Sequence, residues 1–199
     1  KAIYDIQGNN QKNIFYNQGQ ICSASSRLII HQDVKEDFLK LLIEESKKYL
    51  PQNPLNLESE VGAVVSQNQK DRIEGYISSG IESGAKIITD INSDIPNQNG
   101  AYINPVIFDN VDINSTIAQE EIFGPVLVVL SVETIKEAIK IANDSKYGLA
   151  AAIWTNDYDE AYQVSRLLES GIVHINSYGE DDNMVPFGGV KESGLGVDK

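Results

Sequence analysis

From Pro125 onward the apolar residues change period again and again, and this alternation limits the fold more than any other feature of the chain. Residues 126–132 (Val-Leu-Val-Val-Leu-Ser-Val) are almost continuously apolar and rich in β-branched side chains; 133–143 carry helical spacing; 150–154 (Ala-Ala-Ala-Ile-Trp) return to an extended pattern. A second helical stretch over 157–168 and a third extended one over 171–176 complete the series. A strand that is apolar at successive positions must be covered on both faces, and strands separated by helices are accommodated as parallel neighbours with the helices packed against the sheet. The alternation predicts an α/β domain with a mostly parallel sheet.

The first half has the same grammar in a looser form. Arg27-Leu28-Ile29-Ile30-His31 reads as a buried strand. A helix is predicted next, with Asp33 as its N-cap, Val34, Phe38, Leu41, Leu42 and Ile43 as its apolar positions, and lysines near its C-terminal end, until Pro51 and Pro54 break the chain. Ser66 is placed to cap a second helix, in which Ile73, Ile77 and Ile81 recur every fourth residue and Gly84 marks the end. A strand over 85–88, a polar surface loop over 92–100 and an extended segment over 102–108 follow. There is no internal repeat and no low-complexity tract.

At 199 residues and 41% apolar content, the chain suits one well-packed domain, residues 1–199. Its 29 acidic and 16 basic residues give a net charge of -13, which repels phosphate backbones and anionic lipid, so neither nucleic acid nor a membrane surface is expected as a partner. No window approaches the roughly 20 apolar residues of a membrane-spanning helix. The first residues, Lys1-Ala2-Ile3-Tyr4-Asp5, lack the layout of a secretory signal, and a cytoplasmic protein is expected. One cysteine makes no internal disulfide, and no Cys/His cluster has metal-ligand spacing, so no metal site is expected.

That cysteine, Cys22, lies in Asn17-Gln18-Gly19-Gln20-Ile21-Cys22-Ser23-Ala24-Ser25-Ser26, a glycine-bearing polar turn entering a run of small residues. Isolated cysteines are usually small buried hydrophobes. This one has room for a substrate and backbone N–H groups beside the sulfur, donors suited to an oxyanion. The two histidines, His31 and His174, fall at or within expected strands and read as structural, so a base for the thiol must come from elsewhere.

Four segments in register, Phe15-Tyr16-Asn17-Gln18-Gly19-Gln20-Ile21-Cys22, Glu120-Glu121-Ile122-Phe123-Gly124-Pro125-Val126, Tyr147-Gly148-Leu149-Ala150-Ala151 and Pro186-Phe187-Gly188-Gly189-Val190-Lys191-Glu192-Ser193-Gly194, resemble the successive signatures of the NAD(P)-dependent aldehyde dehydrogenase superfamily. The resemblance covers nearly the whole chain. It implies a three-layer αβα domain of the aldehyde dehydrogenase catalytic type, an NAD or NADP cofactor and a small aldehyde substrate. It further implies that Cys22 attacks the aldehyde to give a thiohemiacetal, which is oxidised to a thioester and hydrolysed. Glu121 matches the glutamate that holds the nicotinamide ribose, and Phe123 the aromatic residue beside that ribose and ring. Gln69 and Arg72 fall near positions from which some members reach the adenosine ribose, Arg72 standing where a lysine is often found. Ile21, Ser23 and Phe187 are implied to line the substrate pocket, and Asn17 and Asn176 to support the catalytic loop. His174-Ile175-Asn176 and Asp181-Asp182 resemble the branch that oxidises aromatic aldehydes such as benzaldehyde and vanillin.

The same resemblance implies that a Rossmann-like cofactor domain precedes this region in the family and supplies the general-base glutamate and a second oxyanion donor, and that a C-terminal oligomerisation segment follows it. Both are expected to be absent from these 199 residues. Homo-oligomerisation is therefore expected of a full-length enzyme, and little or no turnover of this chain alone. Where the family has an apolar helix before the cysteine, this chain has Gln7-Gly8-Asn9-Asn10-Gln11-Lys12-Asn13, which favours a loop or a disordered end. The alternative function is a non-enzymatic binding or assembly module on the same fold, for which Cys22 would be dispensable.

Overall fold

The computed structural model describes residues 14–97, 99–179 and 184–198. The polar run at 7–13, and Asp181 and Asp182, lie outside the described residues. These residues form two compact units, 14–131 and 132–198.

The first unit is built on a four-stranded sheet in the order β1-β4-β3-β2, with β1 at Arg27–His31, β2 at Lys86–Ile87, β3 at Val106–Asp109 and β4 at Val126–Val132. β3 and β4 are parallel, with Val106 opposite Val126 and Phe108 opposite Val128, while β2 runs antiparallel to β3. These central strands are apolar at successive positions, and both faces are duly covered: Val106, Ile107, Phe108, Val126 and Val128 are buried almost completely. β1 is an edge strand, and only Ile30 in it is buried, so the fully buried strand expected there is corrected to a half-buried one.

Helix α1, Gln32–Ser46, begins directly after β1. That leaves no residue between strand and helix for Asp33 to act as cap. Instead His31, still extended, accepts the Asp33 N–H on Nδ1 at 3.3 Å, and Asp33 occupies the first turn. The helix buries Phe38, Leu39 and Leu42, whereas Val34 and Leu41 remain exposed because the edge of the sheet covers a narrower stripe than their spacing suggests. Helix α2, Gln67–Glu82, is capped by Ser66 Oγ, which accepts from Gln69 N at 3.2 Å. It ends at Gly84 (φ +90°) with paired bonds from Ala85 N to Gly80 O and from Gly84 N to Ile81 O, the two-bond termination that a left-handed glycine permits. Ile73 and Ile77 face the sheet, and Ile81 is exposed. A methyl group at Gly80 would lie 2.8 Å from the Phe108 ring, so this glycine sets how closely α2 lies on the sheet. The extended segment expected at 102–108 reaches strand pairing only at Val106, since Pro105 has no N–H to give the ladder. A short helix α3, Thr116–Gln119, leads towards β4.

In the second unit, β6 (Ala150–Ile153) and β7 (Ile172–Ile175) pair in parallel, Ala150 opposite Ile172 through Ile153 opposite Ile175. The connection is α5, Tyr158–Leu167, capped by Asp157, which gives the βαβ unit the alternation predicts. α4, Ile135–Asn143, is capped by Thr134. The strands β5 (Tyr147–Gly148), β8 (Phe187–Gly188), β9 (Val190–Lys191) and β10 (Val197–Asp198) form the antiparallel pairs β5–β9 and β10–β8. Each antiparallel pair in either unit includes a two-residue strand. The α/β class with parallel pairing of its longer strands stands. Among the described residues, no helix is long and apolar enough to cross a membrane.

Candidate active site

The Cys22 loop is shaped by left-handed backbone. Asn17 (φ 48°), Gln18 (φ 57°) and Gly19 (φ 70°) follow one another in the 3-10 turn Tyr16–Gly19, a sequence of conformations that only glycine adopts freely. Side chains hold the turn. Asn17 Nδ2 donates to the Gln20 carbonyl (3.2 Å), and Gln20 N donates back to the Asn17 carbonyl (3.1 Å). Gln20 Oε1 accepts the Val65 N–H at 2.9 Å, and the Gln18 amide, turned so that its oxygen faces the Gly62 N–H at 3.0 Å, makes a second tie to the segment that leads into α2.

After this anchor the chain makes a tight turn closed by Ala24 N donating to Ile21 O at 3.0 Å. Cys22 is at its first central position and is exposed. Among the described residues the Cys22 N–H has no hydrogen-bond partner. Sulfur and a free donor therefore share one residue, the arrangement an attacking thiol and its oxyanion need. Ile21 and Ser23 flank the sulfur and are half-buried. The loop's exit is fixed to the sheet by Val128 N donating to Ser26 O at 3.0 Å.

A second loop, 120–125, abuts the first through backbone. A methyl group at Gly19 would overlap the Gly124 carbonyl, and one at Gly124 would fall 2.6 Å from Ile73 of α2, so the two loops and the helix approach as closely as they do because both residues are glycines. Ile122 is buried among Ile73 and Phe108, Glu121 is exposed, and Phe123 is half-buried with φ 58°. That conformation is rare and costly for a bulky side chain. Among the described residues the Glu121 carboxylate makes no ion pair or hydrogen bond.

Gln69 and Arg72, expected at the adenosine ribose, turn their polar ends onto this loop. Gln69 Nε2 donates to the carbonyls of Phe123 (2.9 Å) and Ile122 (3.3 Å), and Arg72 Nη2 donates to the Glu121 carbonyl (2.8 Å). Tyr76, a residue the motifs do not mark, donates from its hydroxyl to Glu120 Oε2 at 2.8 Å and lies beneath the Arg72 guanidinium, 5.4 Å from ring centroid to Cζ. Only its i, i+7 relation to Gln69 on one helix face hinted at this.

Two of the expected residues belong to the second unit. Asn176 (φ 54°) accepts the Thr155 N–H on Oδ1 at 3.0 Å and donates its own N–H to Ile153 O at 2.7 Å, locking the ends of β6 and β7 together. Phe187 opens β8, half-buried, opposite Asp198. The close packing of its Phe-Gly-Gly segment depends on Gly171, where any side chain would overlap the Gly188 carbonyl. His31 caps α1, and the His174 ring contacts Tyr178 with centroids 5.3 Å apart. Among the described residues no group of three His, Cys, Asp or Glu side chains is placed to hold a metal ion.

Residues 8–199 match the aldehyde dehydrogenase family. The chain belongs to that family. It is 40% identical over 186 residues to the NADP/NAD-dependent aldehyde dehydrogenase PuuC of Escherichia coli (strain K12), covering 94% of this chain and 37% of PuuC. Its structure is similar, with a TM-score of 0.90 and 44% identity, to the P. syringae indole-3-acetaldehyde dehydrogenase AldA in complex with NAD+ and IAA, over 94% of this chain and 38% of that one. The aldehyde dehydrogenase KauB from Pseudomonas aeruginosa matches equally well, with a TM-score of 0.90 and 42% identity over 100% of this chain and 39% of KauB. The chain thus spans little more than a third of the length of these aldehyde dehydrogenases.

Proposed function

We propose that the protein carrying this chain oxidises an aldehyde to a carboxylic acid, with Cys22 as nucleophile and a nicotinamide dinucleotide as electron acceptor. The observation that carries the reading is the exposed Cys22, with its own N–H open, on a loop packed against the one that bears Glu121 and Phe123. Residues 1–199 act in this reading as the catalytic domain.

The residues present fit a nicotinamide nucleoside. Glu121 offers an exposed carboxylate without a partner among the described residues, which can accept from two vicinal ribose hydroxyls, and Phe123 offers an aromatic ring two residues on. When bound, the nicotinamide supplies the two-electron oxidation.

Cys22 does the rest of the chemistry that these residues can support. Its thiolate adds to the carbonyl carbon, forming the C–S bond as the carbonyl π pair moves to oxygen, and the Cys22 N–H donates to that oxyanion. After oxidation, water attacks the resulting thioester, the C–S bond breaks and the acid leaves with Cys22 restored. Splitting the reaction at a thioester replaces one difficult step with two accessible ones. The base that activates water and a second oxyanion donor lie, in this reading, outside these residues. Gln18, Gln20 and Asn17 keep the sulfur in place, and the half-buried Ile21 and Ser23 provide substrate-facing surface beside it.

The test is NADH or NADPH formation by the native-length protein against aliphatic and aromatic aldehydes, with Cys22 intact and with Cys22→Ser. Turnover lost in the variant supports the reading. A Cys22→Ser protein that oxidises aldehydes at the original rate overturns it, and retention of every cellular function by that variant favours a non-enzymatic module.

A further inference from the structure

We propose that Gln69 and Arg72 are positioning residues, a clamp on α2 that holds the 121–123 backbone in the one shape that presents Glu121 and Phe123 outward. What the loop presents its side chains to rests on the aldehyde dehydrogenase reading; the clamp itself does not.

Three successive carbonyls, those of Glu121, Ile122 and Phe123, are taken by two side chains one helical turn apart. Phe123 is the point of need. At φ 58° it occupies a region that excludes most bulky residues, and such a conformation persists only where surrounding groups determine it. Its carbonyl receives the shorter of the two Gln69 bonds, at 2.9 Å. Below, Ile122 is fixed in the core with Ile73 of the same helix, α2, and Gly124 lies on that Ile73.

Sequence order alone explains why the clamp leaves the two functional side chains unspent. With the carbonyls of 121–123 facing α2 and Ile122 buried, Glu121 remains exposed and Phe123 only half-buried. At the near end, Tyr76 holds the Glu120 carboxylate, which separates the two adjacent acids: Glu120 is tied down, and among the described residues nothing ties the Glu121 carboxylate. The donors that point to this loop come from 49 to 54 residues away in sequence, so local turn chemistry does not supply them.

The experiment uses the native-length protein and the variants Gln69→Met, Arg72→Met and Arg72→Lys. Two readouts are taken: hydrogen exchange of the peptide spanning residues 119–125, and kcat and KM for the cofactor. In Gln69→Met, exchange in that peptide is expected to accelerate about tenfold and the cofactor KM to rise about tenfold, the scale of one or two lost hydrogen bonds. Arg72→Met should behave alike, and Arg72→Lys, which keeps a cationic donor, should recover at least half of the loss. Unchanged exchange overturns the clamp, even if KM rises, because the side chains would then act on the cofactor directly. Faster exchange with unchanged KM overturns the positioning role and leaves a merely structural tie. If the unaltered protein oxidises no aldehyde at all, it is the proposed function that fails, and the exchange result still decides the clamp.

Discussion

Replacing Gly19 by alanine tests the assembly of the site at its tightest point. The new methyl group would overlap the carbonyl of Gly124 and come within 2.8 Å of the Ile14 carbonyl oxygen, and both neighbours are backbone atoms that cannot rotate away. Residue 19 also has φ 70°, where a Cβ costs about 1 kcal/mol or more. Forcing packed backbone apart adds ~1–3 kcal/mol. The sum, about 3 kcal/mol, lowers the melting temperature of a chain of this size by roughly 6–12 °C. Gly75→Ala is the matched control: it lies within α2, nothing surrounds its missing side chain within 4 Å, and the change should stabilise by ~1 kcal/mol. Denaturant titration followed by circular dichroism measures both. Because the strain falls three residues before the sulfur, aldehyde oxidation should also fall, on the order of a hundredfold for a displacement of about 1 Å. A Gly19→Ala protein within ~0.5 kcal/mol of the parent, or no less stable than Gly75→Ala, would refute the claim that the Cys22 and 120–125 loops touch through backbone at this residue.

Other substitutions probe the supports. Gly84→Ala, at φ +90° in the termination of α2, should destabilise by about 1 kcal/mol, and Ser66→Ala at the other end by a similar amount through the lost bond to Gln69 N; each is read as a shift in denaturation midpoint. Lys191 donates to the carbonyls of Asn143 (2.7 Å) and Ser145 (3.0 Å) and pairs with Glu169 at 2.6 Å. Lys191→Met should therefore cost roughly 1 kcal/mol, a loss that shrinks in high salt as the half-exposed ion pair is screened.

The elements that were legible in the sequence carry their signals locally. β4 was expected over 126–132 and is found at Val126–Val132, because seven successive positions of apolar character admit little else; α2 announces itself with Ser66 and Gly84 at its ends. What escaped depends on partners distant in the chain. The exposure of Val34 and Leu41 reflects where the sheet ends, which helical spacing does not encode. The two-residue strands at 147–148, 187–188, 190–191 and 197–198 are defined by pairing and glycine contacts, since two residues are too few to show an alternation.

The site divides in the same way. Cys22, Glu121 and Phe123 stand in motifs, so their importance is visible in the residues themselves. The targets of Gln69 and Arg72 are backbone carbonyls, which every residue has, and nothing in the sequence singles out those of 121–123. Left-handed Gln18 and Phe123 have no compositional signal either, since neither residue type favours that conformation; Asn17 and Gly19 do.

The proposed reaction requires that Cys22 bond covalently to the substrate. The native-length protein is mixed with aldehyde and cofactor, quenched in acid during turnover, digested and mapped by mass spectrometry. An acyl adduct is expected on the peptide that contains Cys22, the only cysteine of the chain, and should disappear in Cys22→Ser. Reduced cofactor accumulating in a protein whose Cys22 never carries an acyl group would contradict it.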